Sequence, residues 1–162
     1  MNRLTAEELR TFLVHNWGGL GGVVFATWQD FNRRFFADAL APWPILIDGP
    51  SPQWRGETRY NARGACIVLH MPSDPANLLH EMLHAFLVQR GEAPGHTDAP
   101  WRREIGRISQ QLGTPINGLP LEALECWPRS VLDLPRVFGW DLADVRLAES
   151  DGSDRGASAQ AR

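Results

Sequence analysis

The chain alternates between stretches in which apolar residues recur at helical spacing and three short segments of strand character. Thr5 stands where a helix N-cap would, with Glu8 three residues on at the capping-box position, and Leu4, Leu9, Phe12 and Leu13 form one apolar side. Gly18, Gly19, Gly21 and Gly22 then interrupt the pattern. A glycine-rich phosphate loop needs a strand before it and a lysine or a defined helix after it. Neither is evident, so this cluster predicts a bend between two helices. A second helix is expected from about Thr27 to Leu40, from the spacing of Phe31, Arg34, Phe35 and Ala39, with Phe36 widening its face. Pro42 and Pro44 end it.

Three strand candidates follow: Ile45 to Ile47, Trp54 to Tyr60 and Ala65 to His70, with turns at Gly49–Pro50 and Asn61 to Gly64. Three short strands in succession predict a small antiparallel sheet. Next comes an unbroken helical run. Asp74 is its N-cap, Pro75 fits the first helical position, and Gly91 fits the position just past its end. Leu79, Met82, Leu83 and Phe86 are its core candidates. Asp98 is placed to cap one more helix, Ala99 to Leu112, which Pro100, Trp101, Ile105 and Ile108 support. The expected fold class is α+β, with the short sheet packed against the helix that starts after Asp74. Beyond it, Pro115, Pro120, Pro128 and Pro135 punctuate residues 113–140. Leu119, Leu121, Leu124 and Trp127 read there as a wrap around the core, with a lip over a cleft as the alternative.

Composition adjusts this picture in a few places. A chain of 162 residues, 43% apolar and 22% charged, suits one core and argues against a fully disordered protein. A single domain is expected over residues 1–148, followed by a disordered tail of Ser, Ala, Gly and charge at 149–162. Cys66 and Cys126 stand alone, with no CxxC pair, which excludes a zinc ribbon and a disulfide framework. Cys66 reads as a small buried hydrophobe. The N-terminus lacks the apolar core of a signal peptide, and no apolar stretch is long enough for a membrane span. The expected location is the cytoplasm, with no membrane partner. Most of the seven tryptophans belong in a core. Trp17, Trp28 or Trp54 is a candidate to receive an apolar substrate side chain.

The chemistry concentrates in His80-Glu81-Met82-Leu83-His84. Two histidines four apart share one helix face, so their imidazoles meet a single metal ion. Zinc accepts neutral imidazole, and its catalytic sites take three protein ligands and a water. Glu81, beside the first ligand, reaches that water as a general base. The bland alternative is two histidines on a polar helix face with a solvated Glu81. A third ligand is required, and two residues compete for the role: His96, twelve residues after His84, and Glu104, twenty after it. His15 and His70 read as ordinary surface or core histidines, with His70, at the end of the strand leading toward the site, a candidate to hydrogen-bond and orient a ligand.

Several segments resemble the SprT-like zinc metallopeptidases: Phe31-Asn32-Arg33-Arg34-Phe35-Phe36 with Leu40, Gly64-Ala65-Cys66-Ile67-Val68-Leu69, Leu78-Leu79-His80-Glu81-Met82-Leu83-His84-Ala85, and Gly95-His96 followed by Trp101-Arg102-Arg103-Glu104-Ile105. The resemblance covers roughly residues 5–112. It implies a small zincin-like peptidase domain, one zinc per chain on His80, His84 and His96, Glu81 as general base, and a protein or peptide substrate. It leaves Glu104 as a structural residue or a helix-surface partner. Trp101 stands where the family more often has Phe, and the zinc ribbon that follows the domain in many relatives is missing.

Some relatives act on proteins crosslinked to DNA. Here the formal net charge is −3, which offers no bulk attraction to nucleic acid. Only local patches remain: Arg102, Arg103 and Arg107 on one helix, and Arg33 and Arg34 on another, diluted by Asp98, Glu104, Asp30 and Asp38. These patches read as solvated helix surface, with weak, salt-sensitive nucleic-acid binding through Arg102, Arg103 and Arg107 as the alternative. Two function classes therefore stand: a zinc peptidase, and a zinc-stabilised protein- or nucleic-acid-binding module without turnover. The presence of Glu81 beside a ligand favours the first.

Overall fold

The computed structural model describes residues 4–53, 55–62 and 64–113, together with the backbone of 146–147. The expected wrap at 113–140 beyond Gly113, the tail at 149–162, Trp54 and Cys126 lie outside these residues. Helix α1 (Ala6–Phe36) opens with the complete capping box: Thr5 Oγ1 accepts from Glu8 N, and Thr5 N donates to Glu8 Oε2. The helix is broken at Gly18, whose φ of 54° and ψ of −129° reverse the chain. Gly21 then lies against the backbone of Leu13, so the expected bend is present. The second limb, however, starts well before Thr27 and ends at Phe36 rather than Leu40. Its end is set by Asn32, whose side-chain amide donates to Leu40 O and accepts from Leu40 N across a buried turn. Gln89 holds the same turn from the opposite side through Ala39 O and Ala41 N.

Strands β1 (Ile45–Asp48), β2 (Gly56–Asn61), β3 (Gly64–His70) and the two-residue β4 (Arg146–Leu147) form a sheet in the order β1-β3-β2-β4. The sheet is mixed, which corrects the antiparallel expectation. β3 pairs antiparallel with β2 but parallel with β1. The reason lies in burial. All seven residues of β3 are buried, whereas β2 carries Glu57 and Arg59. The continuous apolar strand takes the central place, and strands of that kind are the ones that tolerate a parallel neighbour. The chain leaving β1 therefore passes over the place of β3 to form β2, and β3 then inserts between the two.

Helix α2 (Pro75–Gln89) crosses one face of the sheet. Asp74 caps it through Asn77 N, and Gly91 follows its end with a φ of 70°. Leu78, Leu79, Met82, Leu83, Ala85 and Leu87 are fully buried, packed with Ile45, Ile47, Ile67 and Leu69 from the sheet and Leu9, Leu13 and Val24 from α1. Side chains of this size contribute about 1.5–3 kcal/mol each when fully buried. Trp17 and Trp28 belong to this core rather than to a cleft wall. Helix α3 (Ala99–Leu112) lies against α2 and buries Trp101, Glu104 and Ile108. The result is an α+β arrangement with one buried helix at its centre. Among the described residues, no helix is long and apolar enough to cross a membrane.

Candidate metal centre

Because α2 is buried nearly all round, its polar residues have to be satisfied inside the protein. His80 and His84, one turn apart, project toward the loop that joins α2 to α3, and that loop returns His96 to them. The Nε2 atoms form a nearly equilateral triangle. His80 and His96 are 3.0 Å apart, His84 and His96 3.0 Å, and His80 and His84 3.1 Å. These three histidines are close enough to hold one metal ion, and no other group of this kind occurs among the described residues.

The loop is built for this return. Asp98 stands at the N-cap of α3, but its side chain accepts from Gly95 N at 2.9 Å instead of from the helix. That bond closes the turn Gly95–Asp98 around His96. Pro94 O accepts from Nδ1 of His84 at 2.9 Å. Trp101, from the first turn of α3, backs all three imidazoles. It stacks on His84 with ring centroids 4.2 Å apart, and lies 4.8 Å from the His80 ring and 4.6 Å from that of His96. Burial, with the neighbouring His80 and His96, pushes His84 well below the ordinary imidazole range. Neutral imidazole is the form that binds a metal ion.

Glu81 is not part of the triangle. It is 6% exposed and its Oε2 accepts from Thr58 Oγ1 at 2.8 Å. Burial pushes its carboxyl up to about 8; the Thr58 hydrogen bond works against that rise, and the charge of Glu57 adds to it.

Glu104, the rival third ligand, is directed elsewhere. Its carboxylate lies 3.1 Å from Arg103 Nε and 2.8 Å from Arg107 Nε, and Arg107 in turn donates to Phe35 O. His70 is not brought to the triangle either. Its Nε2 is 3.4 Å from Glu57 Oε1 and its Nδ1 3.4 Å from Gly49 O, beside a separate cavity of about 270 Å³ lined also by Arg55, Met71 and Pro72. His15 is exposed on α1.

Sequence reading overlooked Thr58, Gly56 and the backing role of Trp101. A threonine between Glu57 and Arg59 looks solvent-facing. The alternation of β2 was the available clue, since it turns Thr58 away from both charged neighbours.

No family model, no curated protein and no solved structure matches this chain.

Proposed function

We propose that the chain is a zinc-dependent endopeptidase of the SprT-like kind, a small zincin-like domain that hydrolyses peptide bonds in protein substrates. The observation that carries this reading is the convergence of three imidazole Nε2 atoms to 3.0–3.1 Å, two of them on the helix that carries Glu81. Zinc binds imidazole nitrogen at roughly 2.0–2.1 Å, and three nitrogens so spaced fit on a sphere of that radius. Three protein ligands would hold the ion and leave room for a water, as in catalytic rather than structural sites. Zinc held there supplies a polarised carbonyl and a water that ionises near neutral pH. His80, His84 and His96 serve as neutral donors, one ion per chain. Glu81 takes the proton lost by the attacking water and passes it to the amine as the carbon–nitrogen bond breaks.

A second reading is favoured by the burial of Glu81 against Thr58. In it, Glu81 is a structural link between β2 and α2 in a zinc-stabilised binding module without turnover. One set of measurements separates the two. Protein purified without a histidine tag is expected to carry one zinc by elemental analysis and to cleave an unfolded protein substrate. Glu81→Gln is expected to keep the zinc and lose the cleavage. Absence of metal after zinc reconstitution overturns the metal site. Zinc without turnover in the wild type favours the second reading, and unchanged turnover in the Gln variant removes Glu81 as base.

A further inference from the structure

Gly56 and Thr58 are two apart on β2, so they share the face that meets α2. Thr58 is fully buried. Its Oγ1 lies 2.8 Å from Glu81 Oε2 and 2.9 Å from the main-chain oxygen of Glu81. A hydroxyl has one proton, so it donates to only one of these acceptors at a time. Gly56 adds a steric restraint. A Cβ there would fall 2.9 Å from Glu81 Cγ and 3.1 Å from its Oε1. The Glu81 side chain is therefore held between bare backbone and a hydroxyl.

We propose that Thr58 is a positioning residue for Glu81: its hydroxyl, within reach of both the Glu81 carboxylate and the Glu81 main-chain oxygen, holds that side chain in one orientation together with the bare backbone of Gly56. This rests on the hydrolytic reading given above. The side chain is restrained from two sides, so a group that has to meet a reacting proton is in place before substrate arrives. Without the hydroxyl, a buried carboxyl oxygen of Glu81 loses its partner.

Thr58→Val keeps the shape and removes the hydroxyl. It is expected to lower kcat about 10- to 100-fold, with KM and zinc content unchanged. Thr58→Ser is expected to recover most of the loss. Unchanged kcat in Thr58→Val, or a loss that Thr58→Ser shares, overturns the proposal. If Thr58→Val does not fold, Gly56→Ala decides, since it presses on Glu81 with the hydroxyl still in place; wild-type kcat there overturns the proposal. A measurement without turnover runs in parallel. The 13C shift of the Glu81 carboxyl in zinc-free protein is expected to move in Thr58→Val and to return in Thr58→Ser, and no movement overturns the proposal. A wild type with no turnover defeats only the hydrolytic reading, because the 13C shift still reports the Thr58 contact.

Discussion

Nδ1 of His84 donates to the carbonyl oxygen of Pro94 across 2.9 Å. A carbonyl only accepts, so the ring proton sits on Nδ1 and the lone pair of Nε2 faces the other two histidines. Pro94 lies two residues before His96. The bond that orients one imidazole therefore anchors the loop that delivers another.

Metal affinity is expected to fall in His80→Ala, His84→Ala and His96→Ala. Each loss should exceed the roughly 10- to 100-fold typical of removing an outer hydrogen-bond partner. The loss should be largest for His84→Ala, which also frees the Pro94–His96 loop. Glu104→Ala should leave affinity near that of the wild type, because its carboxylate is committed to Arg103 and Arg107. Competition with a chromophoric chelator measures all four. A loss confined to the Glu104 variant would return that carboxylate to the ligand set.

Glu104 instead makes a stability prediction. Its burial raises the carboxyl, but the Arg107 and Arg103 hydrogen bonds outweigh it and hold the group below its ordinary value. A pKa lowered by folding contributes stability above the unfolded value, about 4.3, and that contribution is lost as pH falls through the folded value. Glu104→Gln is expected to cost on the order of 1 kcal/mol at pH 7, a modest figure because both guanidiniums are part-exposed. Urea unfolding at pH 7 and near pH 3 should show the difference from wild type closing at the lower pH. A gap of equal size at both would contradict this account.

Local chemistry was legible where one residue decides one event. Thr5 with Glu8, Asp74 with Pro75, and Gly91 mark helix ends through short-range hydrogen bonds or backbone freedom, and each stands where it was expected. Events that depend on a distant partner were not legible. The second limb of α1 stops at Phe36 because Asn32 captures Leu40, and Ala37 takes a left-handed φ of 51° without the glycine that usually marks one. The sheet order depended on which strand is buried on both faces, and the unbroken run Ala65 to Leu69 held that information. His96 and Glu104 had equally workable spacings. What separates them is the turn closed by Asp98 and the two arginines that claim Glu104, and neither shows in a spacing.

Gly21 and Gly106 should respond oppositely to alanine. A Cβ on Gly21 would fall 2.0 Å from Leu13 O and 2.4 Å from Leu13 C, main-chain atoms that cannot step aside. Gly21→Ala is expected to destabilise by at least about 1–3 kcal/mol, the usual cost of overpacking. Gly106, inside α3, has nothing within 4 Å of such a Cβ, and its replacement should stabilise by about 0.5–1 kcal/mol through helix propensity. Thermal unfolding of both variants checks the contrast. An unperturbed Gly21→Ala would mean that the two limbs of α1 do not pack as closely as described.

Nucleic-acid binding is expected to be weak, because most of the arginines that would carry it are already engaged. Arg103 reaches Glu92 at 2.6 Å and Glu104 at 3.1 Å, while Arg107 bonds to Glu104, Gln111 and Phe35 O. Arg34 pairs with Asp30 at 3.0 Å and lies over the Phe35 ring. A phosphate approaching these side chains has to displace a carboxylate, so little net charge is gained. Arg102 is exposed and makes no ion pair among the described residues. It is the natural first contact. Affinity for single- and double-stranded oligonucleotides should be about 100 μM or weaker at physiological salt. The slope of log K against log salt should correspond to only about one or two phosphates, and Arg102→Ala should remove about one of them. Fluorescence anisotropy across a salt series reads both quantities. The same oligonucleotides added to the cleavage assay are expected to leave the rate unchanged. Tight binding, with cleavage seen only when DNA is present and lost in the Arg102, Arg103 and Arg107 variants, would overturn this prediction. It would mean that phosphate breaks the Glu92 and Glu104 pairs and that the α3 surface is a switch for the site behind Trp101.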